Sequence, residues 1–451
     1  MNKLKNFPYQ NVLVLGLAKS GTAACKVLVK NGCTVRANDL KVKETSDPVI
    51  AELNKLGIEV TTGSHPLKLL DEIDVVVKNP GIPYENELLI EAEVKGIPII
   101  TEIELIHYLI TAPYIGITGS NGKTTTTTLI HEMLEKSNKR SKLAGNIGKV
   151  AVEIAENLKE EETMVVELSS FQLMGTQEFQ PHIAVMLNLF QAHLDYHKTF
   201  HNYKDAKARI FANQTEKDYF VYNAEDGEIA TLIDHVVATK VPFSIHEKGL
   251  TNGAWCDETY VYFRDKRIIA KENIRLVGDH NLENVLAAVA ASMLSGATKE
   301  GINEVLTTFP GVKHRTQYVE QINGRLFYND SKATNILATS KALDSFEQPV
   351  ILLAGGLDRG NDFDALIPYL TNVKAMILFG ETAIKLNETG QQAGIEDIVF
   401  ADNMAQAVDL AFELSDEKDI ILLSPACASW DQYRTFEERG DMFIEAVHTL
   451  K

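Results

Sequence analysis

The run Gly116-Ile-Thr-Gly-Ser-Asn-Gly-Lys-Thr-Thr125 carries the sharpest chemistry in the chain. It lies between a short apolar run and a helix-forming stretch, the setting in which backbone N–H groups cradle a phosphate chain. Gly119 and Gly122, with Ser120 and Asn121 between them, let the backbone approach closely. Lys123 then supplies a point charge for the outer phosphates, and the Thr124 hydroxyl, followed by Thr125, suits Mg²⁺. The strict pattern GxxxxGK[ST] fails at its first glycine, where Ile117 stands, so this is a Gly-x-x-Gly-Lys-Thr variant. A bare glycine turn is the competing reading; the strand-to-helix context favours a nucleoside triphosphate.

A second glycine-bounded turn, Gly16-Leu-Ala-Lys-Ser-Gly21, also opens a helix, but Ala18 stands where a dinucleotide fingerprint has its middle glycine. Asp39 follows at about the distance of a ribose-binding acid. A diphosphate ligand and a turn serving only helix–sheet packing both remain open, and a nicotinamide cofactor ranks below a nucleotide-linked substrate. Glu167 ends an apolar run and either completes a Mg²⁺ shell beside Thr124 or is a salt-bridged strand-end carboxylate. His193 and Asp195 suit a metal or substrate, or a hydrogen-bonded structural role. Lys207, in Asp205-Ala-Lys-Ala-Arg209, reads on its residues alone as a solvated helix lysine.

Short β-branched runs alternating with helical stretches must position these groups, which predicts α/β architecture with parallel sheets. Strands are expected at Asn11–Leu15, Thr34–Asn38, Asp74–Lys78, Tyr114–Ile117, Met164–Glu167 and Ile183–Leu187, with β-rich pieces over 219–274. Further strands are expected at Val350–Ala354, Ala375–Phe379, Asp397–Ala401 and Asp419–Leu423, and helices at Thr22–Lys30, Lys123–Lys136 and His280–Leu294. At ~150 residues per domain, 451 residues suggest about three domains, placed at 1–101, 102–311 and 312–451. The net charge of −18 argues against coating nucleic acid or an anionic membrane. The 4 cysteines are too few and scattered for a disulfide framework, and none has CxxC spacing. With neither a signal peptide nor an apolar run long enough to span a bilayer, a cytoplasmic protein is expected.

Together these pieces resemble the Mur ligase family, the ATP-dependent amino-acid ligases of peptidoglycan precursor synthesis. The markers are Gly119–Thr125, Glu167-Leu-Ser-Ser170, Asn188 with His193 and Asp195, Gly278-Asp-His-Asn281 with Asn284, and Pro310-Gly-Val-Lys-His-Arg315. Asn329-Asp-Ser-Lys-Ala-Thr-Asn335 and Ser424-Pro-Ala-Cys-Ala-Ser-Trp-Asp-Gln-Tyr433 are similar to the branch that adds D-glutamate to UDP-N-acetylmuramoyl-L-alanine. The resemblance implies a Rossmann-like N-terminal domain, a central P-loop ATPase-like domain and a Rossmann-like C-terminal domain. It implies ATP and two Mg²⁺ ions, with Lys123 and Thr124 on the phosphates and first ion, Glu167 sharing in metal binding and His193 on the second ion. Lys207 would be carbamylated, an anionic ligand in place of a cation. Asn281, Asn284, His314, Arg315 and Asp330 would line the adenosine and phosphate site. Leu17, Ala18, Lys19, Ser20, Asp39, Asn79 and Gly81 would line the uridine diphosphate, and Asn146 the muramoyl part. Lys332, Thr334, Ser429 and Phe436 would hold D-glutamate. Arg359 stands where some relatives place a lysine, a departure that still allows bidentate pairing with a carboxylate.

The implied reaction passes through an acyl phosphate, because a carboxylate oxygen is too poor a leaving group for direct attack by an amine. With the implied sites on three domains, domain closure is expected to deliver D-glutamate to that intermediate. The partners would be small molecules, with no nucleic acid or membrane, and the protein is expected to be a monomer. A folate-directed glutamate ligase and a nucleotide-gated regulatory protein are the competing functions; the first-domain turn and Asp330–Asn335 disfavour the former, and the density of metal and carboxylate-binding candidates the latter.

Overall fold

The computed structural model describes residues 1–41 and 47–450. The chain divides into two compact units, Met1–Glu272 with Glu283–Val305, and Asn273–Leu282 with Leu306–Lys451. Lys451, the end of the third expected domain, lies outside the described residues.

The first unit contains two sheets. One is all parallel, built from β1 (Asn11–Leu15), β2 (Thr34–Asp39), β3 (Glu59–Thr62), β4 (Val75–Lys78) and β5 (Ile99–Ile100), in the order β3-β2-β1-β4-β5. Parallel neighbours need crossovers, and the order reverses between β1 and β4, where ligands of open α/β sheets collect at the carboxyl ends. The register pairs Leu15 with Lys78, so the turns after both strands open at the same edge.

The other sheet has nine strands: β6 (Tyr114–Thr118), β7 (Ser141–Gly145), β8 (Thr163–Glu167), β9 (Ile183–Met186), β10 (Tyr219–Asn223), β11 (Thr239–Ser244), β12 (Ala254–Cys256), β13 (Tyr260–Phe263) and β14 (Lys266–Ala270). Their order is β14-β13-β12-β11-β10-β9-β6-β8-β7, parallel except for the antiparallel β12-β13-β14 edge. β6 lies between β8 and β9, with Ile117 opposite Glu167 and Thr118 opposite Met186. One buried apolar cluster runs through both sheets, from Val12, Ala24 and Leu28 to Val152, Ala155 and Met164. Lys30 also reaches the buried Glu156 at 3.0 Å, fastening helix Lys19–Lys30 to helix Ala151–Asn157.

The second unit has six strands, β15 (Gln317–Ile322), β16 (Arg325–Asn329), β17 (Val350–Gly355), β18 (Val373–Phe379), β19 (Asp397–Phe400) and β20 (Ile420–Leu423), in the order β15-β16-β20-β17-β18-β19. β17 is buried along its whole length, as a strand covered on both faces must be. The expected strands appear with ends shifted by a residue or two, and the helix expected from Thr22 begins at Lys19. The β15–β16 hairpin is additional. Its turn is Asn323-Gly324, with φ of 46° and 81°, the left-handed pair that a two-residue type I′ hairpin requires.

Arg439, on helix Phe436–Thr449, is fully buried and stitches the second unit's loops together. Its Nη2 donates to the Ser331 and Cys427 carbonyls at 2.9 and 3.0 Å, its Nη1 to Gly355 O at 3.3 Å and its Nε to Ser331 Oγ at 3.1 Å. Arg439→Met should keep the packing but strand these acceptors, each at ~1–3 kcal/mol. Chemical denaturation is expected to show a loss of at least about 3 kcal/mol; a loss under about 1 kcal/mol would contradict the assignment.

Candidate active site

The phosphate-loop variant runs from the end of β6 into helix Lys123–Lys136. Gly122 has φ +83°, and a Cβ there would stand 2.1 Å from Asn284 Oδ1, so only glycine fits without rearrangement. The segment after β9 braces the loop: Asn121 N–H donates to Asn188 Oδ1 at 2.8 Å, and Ser120 N–H to Asn188 O at 2.9 Å. Ser120 Oγ also meets the Tyr203 hydroxyl at 3.0 Å. Lys123 Nζ donates to the Gly119 and Ser120 carbonyls at 2.8 and 3.1 Å, curled over the loop that it would lend to phosphates.

Two expected metal-site residues meet directly, since Thr124 Oγ1 donates to Glu167 Oε2 at 2.8 Å. Lys207 is not the solvated lysine that its helix suggests: it is 1% exposed. Its Nζ donates to Gly119 O at 2.8 Å and Thr118 Oγ1 at 3.2 Å, and lies 4.8 Å from the centre of the Tyr203 ring. Burial first, and then the Lys123 cation, push the Lys207 amine well below its ordinary pKa, against the opposing pull of Glu167. His193, at φ 54°, packs on Phe171, and burial lowers its pKa, with Asp195 opposing and Lys123 and Lys207 assisting.

A cavity of about 610 Å³ joins these groups to the first sheet. Its lining includes Ala18, Lys19, Ser20, Asn79, Gly81, Asn146, Lys123, His193 and Lys207, together with Glu102, Gln172 and Tyr203, which the sequence reading does not single out. Leu17 and Asp39 fall outside that lining. Asp39 instead accepts from Leu17 N–H at 2.8 Å and Lys41 N–H at 2.9 Å, holding the first turn's backbone in place. Asn79 Nδ2 donates to Ser20 Oγ at 3.0 Å, so the turns after β1 and β4 are tied across the sheet's switch point. Lys78 is buried, its pKa lowered to about 7 by that burial. It reaches Pro80 O and the Tyr196 hydroxyl at 3.1 and 3.0 Å, so the first-sheet loop is fastened to the short helix following His193.

The adenosine-site candidates are divided between the units, Asn284 in the first and Asn281, His314, Arg315 and Asp330 in the second. Within the second unit, Asp330 accepts from Thr316 N–H at 3.0 Å and Ser424 Oγ at 2.9 Å, and burial raises its pKa to about 7. His314 is buried at φ 64°, with Nδ1 3.0 Å from Asn329 Nδ2. A smaller cavity of about 410 Å³ is lined by Thr334 and Arg359, among others. The Arg359 guanidinium is 5.0 Å from the centre of the exposed Trp430 ring. Lys332 Nζ lies 4.6 Å from the centre of the Phe436 ring, and the buried Ser429 Oγ has no hydrogen-bond partner. Lys332, Ser429 and Phe436 do not line that smaller cavity.

The Thr124–Glu167 pair offers hard oxygen donors of the kind Mg²⁺ takes alongside phosphates and waters, so it fits one ion. Among the described residues no cluster of three His, Cys, Asp or Glu forms a ready metal site. Mg²⁺ takes oxygen ligands, which an unmodified Lys207 nitrogen does not supply, so a second ion at His193 fits better if Lys207 carries a carbamate.

The chain belongs to the Mur ligase family. Residues 10–101 match the Mur ligase MurD-like N-terminal domain, 117–292 the Mur ligase middle domain and 314–427 the Mur ligase glutamate ligase domain. The UDP-N-acetylmuramoylalanine–D-glutamate ligase of Oceanobacillus iheyensis is 59% identical over 451 residues, covering 100% of both chains. That of Bacillus subtilis is 55% identical over 444 residues, covering 98% of each. Among solved structures, the fold is similar to UDP-N-acetylmuramate-alanine ligase MurC from Thermotoga maritima, with TM-score 0.58, 18% identity and coverage of 98% of this chain and 100% of that one. MurF ligase from the same organism, in complex with ADP, gives TM-score 0.56 at 17% identity, covering 98% and 96%.

Gly122→Ala tests the loop. The left-handed φ and the clash with Asn284 should cost roughly 1–2 kcal/mol or more of stability and weaken ATP binding at least about tenfold by titration calorimetry. Unchanged affinity would mean that the loop is not the phosphate cradle.

Proposed function

We propose that the protein joins D-glutamate to UDP-N-acetylmuramoyl-L-alanine in peptidoglycan precursor synthesis, an ATP-dependent amide-bond ligation through an acyl phosphate. One observation carries the reading: a single cavity runs from the turn Ala18–Ser20 and the loop Asn79–Gly81 to Lys123 and Lys207. A nucleotide-linked acid lying in it places its reacting carboxylate beside a phosphate loop. The names of the relatives support the substrates, and the matched glutamate ligase domain supports the amino acid.

The chain's residues act mainly by positioning and by offsetting charge, as phosphoryl transfer requires. Lys19, Ser20 and Asn79 hold the diphosphate, and Asn146 orients the muramoyl portion. Lys123, released from the loop carbonyls, meets the outer phosphates of ATP, and the Gly119–Gly122 backbone cradles them. The carboxylate attacks the γ-phosphorus, the bond to ADP breaks, and the amine of D-glutamate then displaces phosphate and loses a proton. In the second unit Lys332, Thr334, Arg359, Ser429 and Phe436 receive D-glutamate, and Asn281, His314, Arg315 and Asp330 are its candidates for the adenosine and phosphates; Asn284 is the first unit's candidate.

Thr124 and Glu167 hold one Mg²⁺, and His193 with a carbamylated Lys207 holds a second; bound there, the ions neutralise charge on the transferring phosphoryl group. Lys207 suits carbamylation because its buried amine is weakly basic, so a neutral nitrogen is available to add CO₂ and release a proton. We place domains at 1–101, 102–311 and 312–451 and expect a cytoplasmic monomer; no helix among the described residues is long and apolar enough to cross a membrane.

Phosphate release from ATP should require both UDP-N-acetylmuramoyl-L-alanine and D-glutamate, with L-glutamate and a folate acceptor inactive. Release without the uridine nucleotide, or none with any acceptor, would overturn the ligase reading. Lys207→Arg keeps a long basic side chain but cannot add CO₂, and should lower turnover at least about a hundredfold, the scale of a lost electrostatic group. The wild type should lose activity in CO₂-depleted buffer and regain it with bicarbonate; indifference to CO₂ would leave Lys207 an unmodified lysine.

A further inference from the structure

Glu102 follows β5 and precedes helix Glu104–Leu109, on the segment between the first unit's two sheets. It is 2% exposed yet lines the cavity with Ser20, Gly81 and Asn146. The Gln172 side chain hydrogen-bonds its carboxyl group. Gln172 is itself oriented, since its Oε1 accepts from Ser169 N–H and Oγ, both at 3.0 Å. Glu102 Oε2, in contrast, has no hydrogen-bond partner. The nearby Glu104 carboxylate is engaged by the backbone N–H groups of Gln177, Glu178 and Phe179, so the two acids are not sharing partners.

A buried polar oxygen without a partner carries a desolvation penalty and calls for an explanation in a ligand. Burial raises the Glu102 pKa to about 8, so near neutral pH the group is an acid with a proton to donate. An ionised carboxylate there would repel an anionic substrate, whereas a neutral acid offers it a donor.

We propose that Glu102 is a specificity-determining contact for the nucleotide substrate, donating a hydrogen bond from its protonated carboxyl group to an acceptor oxygen in the substrate's sugar–peptide portion. This rests on the assignment of the cavity to that substrate. Of the other charged or titratable groups in the lining, Lys19 lies on the first turn, and Lys123, His193, Tyr203 and Lys207 border the phosphate loop.

KM for each of the three substrates, with kcat, is measured for the wild type, Glu102→Gln and Glu102→Ala, alongside melting temperature with and without UDP-N-acetylmuramoyl-L-alanine. The glutamine amide can still donate, so E102Q should stay within about threefold of wild type. E102A should raise the nucleotide KM about tenfold or more, the scale of one lost hydrogen bond, with the KM of ATP and of D-glutamate within about twofold. It should also lose most of the melting shift given by the nucleotide substrate and keep the shift given by ATP. If E102A does not fold, Glu102→Met, which fills the space without a donor, replaces it. Unchanged nucleotide KM in the donor-less variant, parallel changes in all three KM values, or E102Q as impaired as E102A would overturn the proposal. A wild type that does not turn over the uridine nucleotide would overturn the functional reading, and this contact with it.

Discussion

A buried lysine against the end of a central strand sets the terms for the phosphate-loop side of the first unit. Removing a lysine charge from water is costly, so Lys207, held by Thr118 Oγ1, Gly119 O and the face of Tyr203, is weakly basic. Those partners belong to the strand end and the helix that frame the phosphate loop, so satisfying one buried amine fixes where the loop begins. Lys123 brings its own positive charge into the same space and lowers the Lys207 pKa further. Two lysines thus share one pocket beside the phosphate loop, inside a protein of net charge −18.

The two units solve different physical problems. In the first, a shared apolar core and the ties Lys78–Tyr196 and Asn79–Ser20 hold two sheet ends around one cavity. The groups along that cavity therefore have a spacing that is already set. In the second, loops rather than strand faces carry the candidate groups, and Arg439 supplies the cross-links that a loop cluster otherwise lacks. A guanidinium suits this task because its several donors point in fixed directions within one plane.

Much of the fold was legible because apolar runs and turns at strand ends are local signals. The loop at Gly119–Thr125 and the strand before it could be read together for that reason. The β15–β16 hairpin could also have been found from Asn323-Gly324, but Gln317–Ile322 alternates too weakly to announce a strand. Lys207 shows a different limit. Its helix, Phe200–Ala208, mixes charged and apolar residues with no clear stripe, so burial of that lysine is a tertiary fact. Its role came from family resemblance rather than from periodicity. Glu102, Tyr203 and Arg439 left no local signature, since a single acid, phenol or guanidinium becomes distinctive only through what surrounds it. Asp39 was visible through its spacing from the first turn, and the coordinates give its carboxylate a bracing role on that turn.

The seam between helix Lys19–Lys30 and helix Ala151–Asn157 bears on how such a chain can be recombined. Asn2 Nδ2 donates to the Ala155 and Leu158 carbonyls, both at 2.8 Å, and Lys30 meets Glu156, so the amino-terminal residues and the first helix are both moored to the same short helix. A cut between the first two sheets would expose apolar surface on each side and leave Glu156 without its cation. Chimeras that exchange nucleotide-binding segments between relatives would therefore carry Ala151–Asn157 with the first sheet, although more than a hundred residues of sequence separate that helix from Lys30.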